Sequence, residues 1–295
     1  MKLSKKALTG YPAGILTGVT YGLNPLFAVP LMATGVALSS ILFFRYAIAV
    51  TLLGLFLAVT GQSFRVTWRQ AVVLVILGLL YTTSSLTLFS AYKYVPSGLA
   101  TTLVFLSPVM VALIMAALGK MPSWPVWVAI AVSFVGVIIM TGVGSDTVFN
   151  PVGIGLSIAS AFVYSLFIVI INRSKVIAGI SNSVLTFYTL VVGSIVFMAW
   201  GAQSGTTLLG GLGGWSPWLN LVGLAVLPTI VSTATLAVAT RNIGATKASV
   251  LGVFEPITAI VVGCVALGEP LTLSVVAGIT ISVVAVTFMI LATGR

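Results

Sequence analysis

The sequence predicts an all-α integral membrane protein with ten transmembrane helices, arranged as two inverted five-helix repeats. Composition is the first reason, because 59% of the 295 residues are hydrophobic and only 5% are charged, whereas a water-soluble domain carries about 25% charged residues. Length is the second reason. The apolar stretches run about 20 residues between polar breaks, which is the length of an α-helix that crosses ~30 Å of hydrocarbon. The third reason is that the second half of the chain repeats features of the first.

The apolar runs give the helices in order. The first run, Leu8–Phe27, follows three lysines but exceeds the ~7–15 apolar residues of a signal peptide, so we expect it to be retained. The other first-half helices are expected at Gly35–Val59, Trp68–Tyr92, Ser97–Leu118 and Trp124–Thr141. The second-half helices are expected at Val152–Ile171, Ser183–Trp200, Pro217–Ala239, Ala245–Leu267 and Leu273–Ala292.

Basic residues predict the orientation, because cytoplasmic loops of membrane proteins are enriched in Lys and Arg. If the N-terminus is cytoplasmic, the opposite side receives only Lys93 among the basic residues, together with the acids Asp146 and Glu269. The cytoplasmic side then receives Lys2, Lys5, Lys6, Arg65, Arg69, Lys120, Arg173, Lys175, Arg241, Lys247 and Arg295. We therefore expect both termini to be cytoplasmic and the protein to lie in the inner (plasma) membrane.

An internal repeat divides the chain into residues 1–144 and 145–295. The segment Ala91–Ala100 aligns with Ala239–Ala248, and Pro108 aligns with Pro256, at a constant offset of 148 residues. Each half holds an odd number of helices, so the second half must enter the membrane from the opposite face. Two such halves can rock about a pseudo-two-fold axis and expose a central site to each side in turn. A duplication kept only for packing is the alternative.

Two charged residues fall inside predicted helices, where a charge costs about 2.5–3.5 kcal/mol. Arg45 lies in the second helix and Glu255 in the ninth, each about ten residues from the predicted start. Three interpretations stay open. The two residues form an ion pair, Arg45 holds a carboxylate in a cavity, or Glu255 contacts an amine or titrates as a coupling site. Snorkelling of Arg45 is disfavoured by its distance from the helix ends.

Pro108 and Pro256 stand at equivalent positions of the fourth and ninth helices. Proline removes one intrahelical hydrogen bond and clashes with the preceding turn, so both helices are expected to bend there. Paired bends beside the symmetry axis favour gating of a central site. Kinks that serve packing alone are the alternative, since proline is common in transmembrane helices.

Polar and aromatic residues at membrane depth give the candidate cavity. Hydroxyl groups are frequent in the third and eighth helices, the latter including Thr229. Their commoner role is a hydrogen bond between helices. An apolar cavity with a few convergent polar groups nevertheless suits a zwitterion with an apolar side chain. The predicted cavity residues are Tyr21, Asn24, Tyr81, Ser84, Ser85, Ser107, Tyr164, Ser232, Thr233 and Glu255.

Several chemistries are disfavoured by residue usage. The chain contains no His and a single Cys264, so imidazole ligands, imidazole bases and internal disulfides are excluded, and we expect no metal and no cofactor. An intramembrane enzyme would need an acid/base pair or a metal cluster, so no catalytic residue is predicted. The net charge of +10 is distributed over loops, which indicates topology rather than nucleic-acid binding.

Five motifs resemble the EamA-type branch of the drug/metabolite transporter superfamily. They are Tyr21–Phe27, Phe44–Ala47 with its arginine, Leu106–Val109, Phe254–Ile257, and the turn Leu267–Thr272. The first-half counterpart of that last turn reads Leu118–Met121, with Lys120 where the second half has an acid. The resemblance covers nearly the whole chain.

This resemblance implies a transporter. Within the superfamily the chain is most similar to YddG-type aromatic amino-acid exporters, which implies efflux of neutral or aromatic amino acids through a central cavity by alternating access. Export of drugs, nucleosides or sugars is the alternative within the same superfamily. The implied partners are the lipid bilayer and a small-molecule substrate, with the protein a monomer or a weak homodimer and no nucleic acid bound.

Overall fold

The computed structural model describes residues 5–119, 121, 123–140, 150–243, 248 and 251–293. Every regular element within these residues is a helix, and we number the α-helices in chain order. The first half holds α1 (Lys5–Gly22), α2 (Asn24–Ala33), α3 (Leu38–Val59), α4 (Trp68–Ala91), α5 (Ser97–Val104), α6 (Ser107–Ala117) and α7 (Trp124–Met140). The second half holds α8 (Pro151–Arg173), α9 (Asn182–Gln203), α10 (Trp215–Ala225), a π-helical turn (Val226–Val231), α11 (Ser232–Ile243), α12 (Phe254–Ala266) and α13 (Leu273–Thr293).

Seven helical segments of the described chain are long and apolar enough to cross a membrane, and three shorter apolar helices accompany them. They coincide with the ten predicted runs. Part of the prediction falls outside the described residues, namely the start of the ninth helix and the charged positions Lys2, Lys120, Asp146, Lys247 and Arg295.

The predicted end of the first helix was wrong. The helical segment continues to Ala33 instead of ending at Phe27, and it is broken at Leu23 into α1 and α2. The break follows from Pro25, which has no N–H to donate to the carbonyl of Tyr21. The Asn24 side chain supplies the missing donor, because its Nδ2 lies 2.8 Å from the Tyr21 carbonyl oxygen.

The principal helix–helix contacts join the two halves of the chain. Among the described residues, α1 packs on α11 and α12, α3 on α9, α4 on α8 and α9, α5 on α8 and α12, α6 on α8, and α7 on α13. A glycine ridge on α1 permits one of these close approaches. A Cβ atom added at Gly18 would lie 2.9 Å from the Cβ of Phe254, and one at Gly22 would meet Thr258 at 2.7 Å. The ridge therefore brings α1 against the start of α12.

The buried apolar core is concentrated at one end of the bundle, which we call the closed end. This end carries the turns at residues 92–96 and 267–272. Its core includes Leu31, Leu42, Leu88, Leu99 and Leu221, each at most 4% exposed. Smaller clusters, such as Leu74 and Leu77 with Ile177 and Leu185, lie toward the other end. The largest buried apolar cluster among the described residues therefore includes the closed end.

Candidate functional site

Helix irregularities lie midway along four of the membrane segments. The α1/α2 break is at Leu23, the α5/α6 break is at Phe105–Leu106, a turn at Gly252–Val253 precedes α12, and the π-helical turn separates α10 from α11. Irregular backbone at membrane depth is tolerated where it is buried in protein or lines a water-filled cavity. The interruptions of the fourth and ninth segments each lie two to four residues before Pro108 or Pro256, where the sequence predicts a bend.

Glu255 is the acid of this region. It stands in the first turn of α12, where the helix dipole favours a negative charge. The side chain is only partly buried, and its carboxylate has no hydrogen bond or ion pair with any described residue. A carboxylate left unpartnered in a membrane protein is costly unless water or a ligand reaches it.

Three tyrosines lie in the same part of the bundle as this carboxylate. Tyr21 lies within electrostatic range of Tyr81, Tyr164 and Glu255. The ring centroids of Tyr81 and Tyr164 are 6.5 Å apart, and Phe167 stacks on Tyr164 at 5.8 Å. All three tyrosines are half-buried, and their hydroxyls make no hydrogen bond to described residues. Aromatic and polar side chains from α1, α4, α8 and α12 thus lie near one another.

Arg45 is placed differently from Glu255. It lies about two turns into α3 and is 1% exposed, so it is enclosed by protein. Its Nε donates to Thr229 Oγ1 at 3.0 Å, and its guanidinium lies 5.1 Å from the centre of the Phe89 ring. No ion pair joins Arg45 to Glu255 in this structure, in which both residues are described. The ion-pair interpretation is therefore not supported.

The π-helical turn explains how Thr229 reaches Arg45. Pro228 has no N–H, so the Leu224 carbonyl loses its usual helical donor. The Thr229 hydroxyl donates to that carbonyl at 3.1 Å and at the same time accepts from Arg45. One hydroxyl therefore satisfies a freed carbonyl of the second half and holds the buried cation of the first. The sequence had indicated Thr229 only as a general interhelical hydroxyl, although its place beside Pro228 was a usable signal.

Several predicted cavity hydroxyls serve in packing instead. Ser84 bonds to Ser160 of α8, and Ser85 pairs with the Tyr46 hydroxyl at 2.5 Å. These are the interhelical bonds that the sequence left as the alternative. Asn24 is 1% exposed and completes the break between α1 and α2, with its Oδ1 unpartnered.

The remaining predicted positions lie along the broken helices. Ser107 is buried, and its carbonyl accepts from Ser165 Oγ at 3.0 Å. Thr233 donates to the carbonyl of Thr229, and Ser232 is 3% exposed at the start of α11. The structure thus brings together Tyr21, Tyr81, Tyr164 and Glu255, and it keeps the other predicted positions in the surrounding walls.

No group of three or more His, Cys, Asp or Glu side chains that could hold a metal ion occurs among the described residues. The site therefore consists of one carboxylate, phenol groups and aromatic rings. Such groups can bind an ammonium ion and an apolar side chain, through charge, hydrogen bonds and cation–π contacts.

Comparison with known proteins gives the family. The sequence model of the EamA-like transporter family matches residues 8–142 and again residues 151–291. An uncharacterized transporter of Archaeoglobus fulgidus is 25% identical over 181 residues, covering 61% of this chain and 62% of the relative. An uncharacterized transporter of Synechocystis sp. is 26% identical over 193 residues, covering 63% of this chain and 56% of the relative. The matches thus span about three fifths of these curated relatives.

A solved crystal structure shares the fold, with a TM-score of 0.66 over 98% of both chains at 19% identity. The family model covers nearly the whole sequence, in the order in which the two groups of helices occur. The chain therefore belongs to the EamA-like transporter family, within the drug/metabolite transporter superfamily.

Proposed function

We propose that the protein exports neutral or aromatic amino acids across the inner membrane. In this proposal, ten transmembrane helices form two inverted five-helix repeats, residues 1–144 and 145–295. The site between the repeats opens to one side of the membrane and then to the other. The observation that carries it is the carboxylate of Glu255, which has no hydrogen bond or ion pair with any described residue, together with the hydroxyls of Tyr21, Tyr81 and Tyr164, which have no hydrogen bond to one either.

Inverted repeats are supported by the two family matches and by the reciprocal contacts of the helices. The contact between α1 of the first half and α11 of the second corresponds to the contact between α8 of the second half and α4 of the first. The equivalent helices α5 and α12 contact each other across the proposed axis. Cytoplasmic termini are supported by the distribution of basic residues. Epitope tags at the N- and C-termini should be accessible from the same side of the membrane. Tags accessible from opposite sides would rule out the two inverted five-helix repeats.

An amino acid matches the site in two ways. Its ammonium group would pair with Glu255, which stands in the first turn of α12. Its apolar side chain would lie against the rings of Tyr81, Tyr164 and Phe167. The substrate carboxylate would meet tyrosine hydroxyls first, because Arg45 is enclosed in this conformation.

One observation favours a second candidate. The described residues of this region are largely aromatic, and Arg45 is enclosed by protein. A lipophilic amine without a carboxylate would satisfy this site as well, which corresponds to multidrug export. Nucleosides and sugars match it less well, because they carry no positive charge for Glu255.

The deciding experiment is counterflow of labelled phenylalanine into proteoliposomes that contain the purified protein. Leucine and tyrosine should compete, whereas phenethylamine, which lacks the carboxylate, and 3-phenylpropionate, which lacks the amine, should compete at least ~10-fold more weakly. Saturable flux of phenethylamine without flux of phenylalanine would establish the amine candidate instead.

The matched variants are Glu255→Gln and Thr51→Ala. Glu255→Gln removes a charge-assisted bond to the ammonium group and should lower apparent substrate affinity about 10- to 100-fold. Thr51 faces outward and bonds only within its own helix, so Thr51→Ala should transport normally. Loss of folded protein in Glu255→Gln would instead assign Glu255 a structural role.

A further inference from the structure

The N-terminus of α5 is capped by a residue from the other half of the chain. Glu269 Oε1 accepts hydrogen bonds from the backbone N–H of Ser97 at 2.7 Å and from its hydroxyl at 2.5 Å. Glu269 Oε2 accepts from the N–H of Gly98 at 3.2 Å. The N-cap position itself is Pro96, which provides no side-chain acceptor. The first amides of α5 therefore depend on a carboxylate 172 residues away in the sequence.

The turn that holds Glu269 is itself well fixed. Gly268 has a φ of +66°, a conformation that favours glycine, and it reverses the chain after α12. The Glu269 N–H then donates to the Gly263 carbonyl at 2.9 Å. The carboxylate lies so close over Gly263 that a Cβ atom there would collide with it. The backbone thus presents the carboxylate to α5 in a set direction.

The contact lies at the closed end of the bundle. Every residue of α5 is buried, from Ser97 to Val104. Its partner α12 belongs to the second half, so the Glu269 bonds tie one half to the other at the point where α5 and α12 cross. Separation of the halves at this end would require that these three hydrogen bonds break.

The opposite end lacks an equivalent acid. In the sequence, Leu118-Gly119-Lys120 corresponds to Leu267-Gly268-Glu269. A lysine has three donors and no acceptor, so it cannot cap helix amides, and the dipole at a helix N-terminus opposes its charge. A carboxylate cap of this kind is therefore expected only at the closed end. Alternating access requires both ends of the bundle to open in turn.

We propose that Glu269 is a one-sided latch between the two halves, which holds the closed end shut and releases Ser97 and Gly98 when that end opens. The inference rests on the proposed alternating-access function, and in the proposed orientation the latched end is the outer one. The latch biases the resting protein toward a conformation open to the cytoplasm, and it sets part of the barrier to outward opening.

The chain contains its own reporter of this movement. Cys264 is the only cysteine of the sequence. It lines a small crevice between α5 and α12 together with Leu99, Ile260, Glu269 and Leu271, and it is only partly buried. Separation of α5 from α12 would expose its thiol, so the rate of maleimide labelling measures how often the latched end opens.

The experiment measures maleimide labelling of Cys264 in the full-length protein purified in detergent. Glu269→Gln removes the charge and half of the acceptor capacity, and it should raise the labelling rate about 10- to 100-fold. Ser97→Ala removes only the hydroxyl bond, so its rate should rise about 3- to 10-fold. Labelling at the wild-type rate in both variants would overturn the latch.

Two controls separate the latch from other effects. A second reporter, Leu74→Cys in a Cys264→Ala background, lies in a buried cluster away from the closed end. An equal rise at this position in Glu269→Gln would indicate general loosening and would also overturn the latch. Glu255→Gln should leave Cys264 labelling unchanged while it impairs flux. If no amino acid is transported at all, the labelling series still decides the latch on its own.

Discussion

Replacement of Thr229 by valine tests whether one hydroxyl joins the two halves at the π-helical turn. Valine keeps the β-branched shape of threonine but has neither donor nor acceptor. The change would leave the Nε–H of Arg45 and the carbonyl of Leu224 without their partners, which lie at 3.0 and 3.1 Å from the hydroxyl. Because Thr229 is 1% exposed, water has little access to either group.

The magnitude follows from the two lost bonds. Interhelical hydrogen bonds in membranes average only ~0.6 kcal/mol, because the unfolded chain also finds partners there. A bond to a charged group is stronger, about 1.5–3 kcal/mol, so the Arg45 bond dominates. We therefore expect Thr229→Val to lower the free energy of unfolding by about 2–3 kcal/mol. Thr229→Ser keeps both bonds and loses one methyl group, which costs about 1 kcal/mol.

The assay is reversible unfolding in mixed micelles of mild detergent and sodium dodecyl sulfate, followed by the fluorescence of the six tryptophans. Wild type, Thr229→Val and Thr229→Ser are compared under identical conditions. Equal unfolding free energies for the valine and serine variants would refute the reasoning, since only the valine variant removes the hydroxyl.

Three further predictions concern the helix packing and the candidate site. A Cβ atom at Gly193 would enter the ring of Tyr46, so Gly193→Ala should lower the free energy of unfolding by about 1–3 kcal/mol. A Cβ atom at Gly155 meets open space, so Gly155→Ala should be neutral or stabilising by up to ~1 kcal/mol. Equal changes in the unfolding free energy of the two variants would contradict the contact between Gly193 and Tyr46. Tyr46→Phe and Ser85→Ala should show a coupling of about 0.6 kcal/mol in a double-mutant cycle. Tyr164→Phe should leave stability unchanged but weaken substrate competition, because the Tyr164 hydroxyl bonds to none of the described residues. A loss of stability instead would remove Tyr164 from the site.

Much of the fold could be predicted from the sequence, because the bilayer imposes simple rules on composition. A helix must satisfy its own backbone in lipid, so runs of about 20 apolar residues indicate membrane segments directly. The interruptions near Pro108 and Pro256 were predictable for the same reason, since proline lacks a donor wherever it falls. The two charges, Arg45 and Glu255, stood out because charge is rare at membrane depth.

The sequence could not decide which polar group meets which partner. Arg45 and Glu255 could have paired with each other, and only the packing of α3 against the π-helical turn directs Arg45 to Thr229 instead. The hydroxyls of Ser84 and Tyr164 look equally available in the sequence, yet the first bonds to Ser160, while the second has no hydrogen bond to any residue that the structure describes.

Composition and local spacing thus determined that this chain crosses the membrane many times, because the cost of exposing polar backbone to lipid acts on each segment by itself. The tertiary structure decided which polar side chains bond to one another, because hydrogen-bond partners such as Glu269 and Ser97 lie 172 residues apart. Such contacts depend on how the helices of the two halves cross, and no local pattern encodes that arrangement.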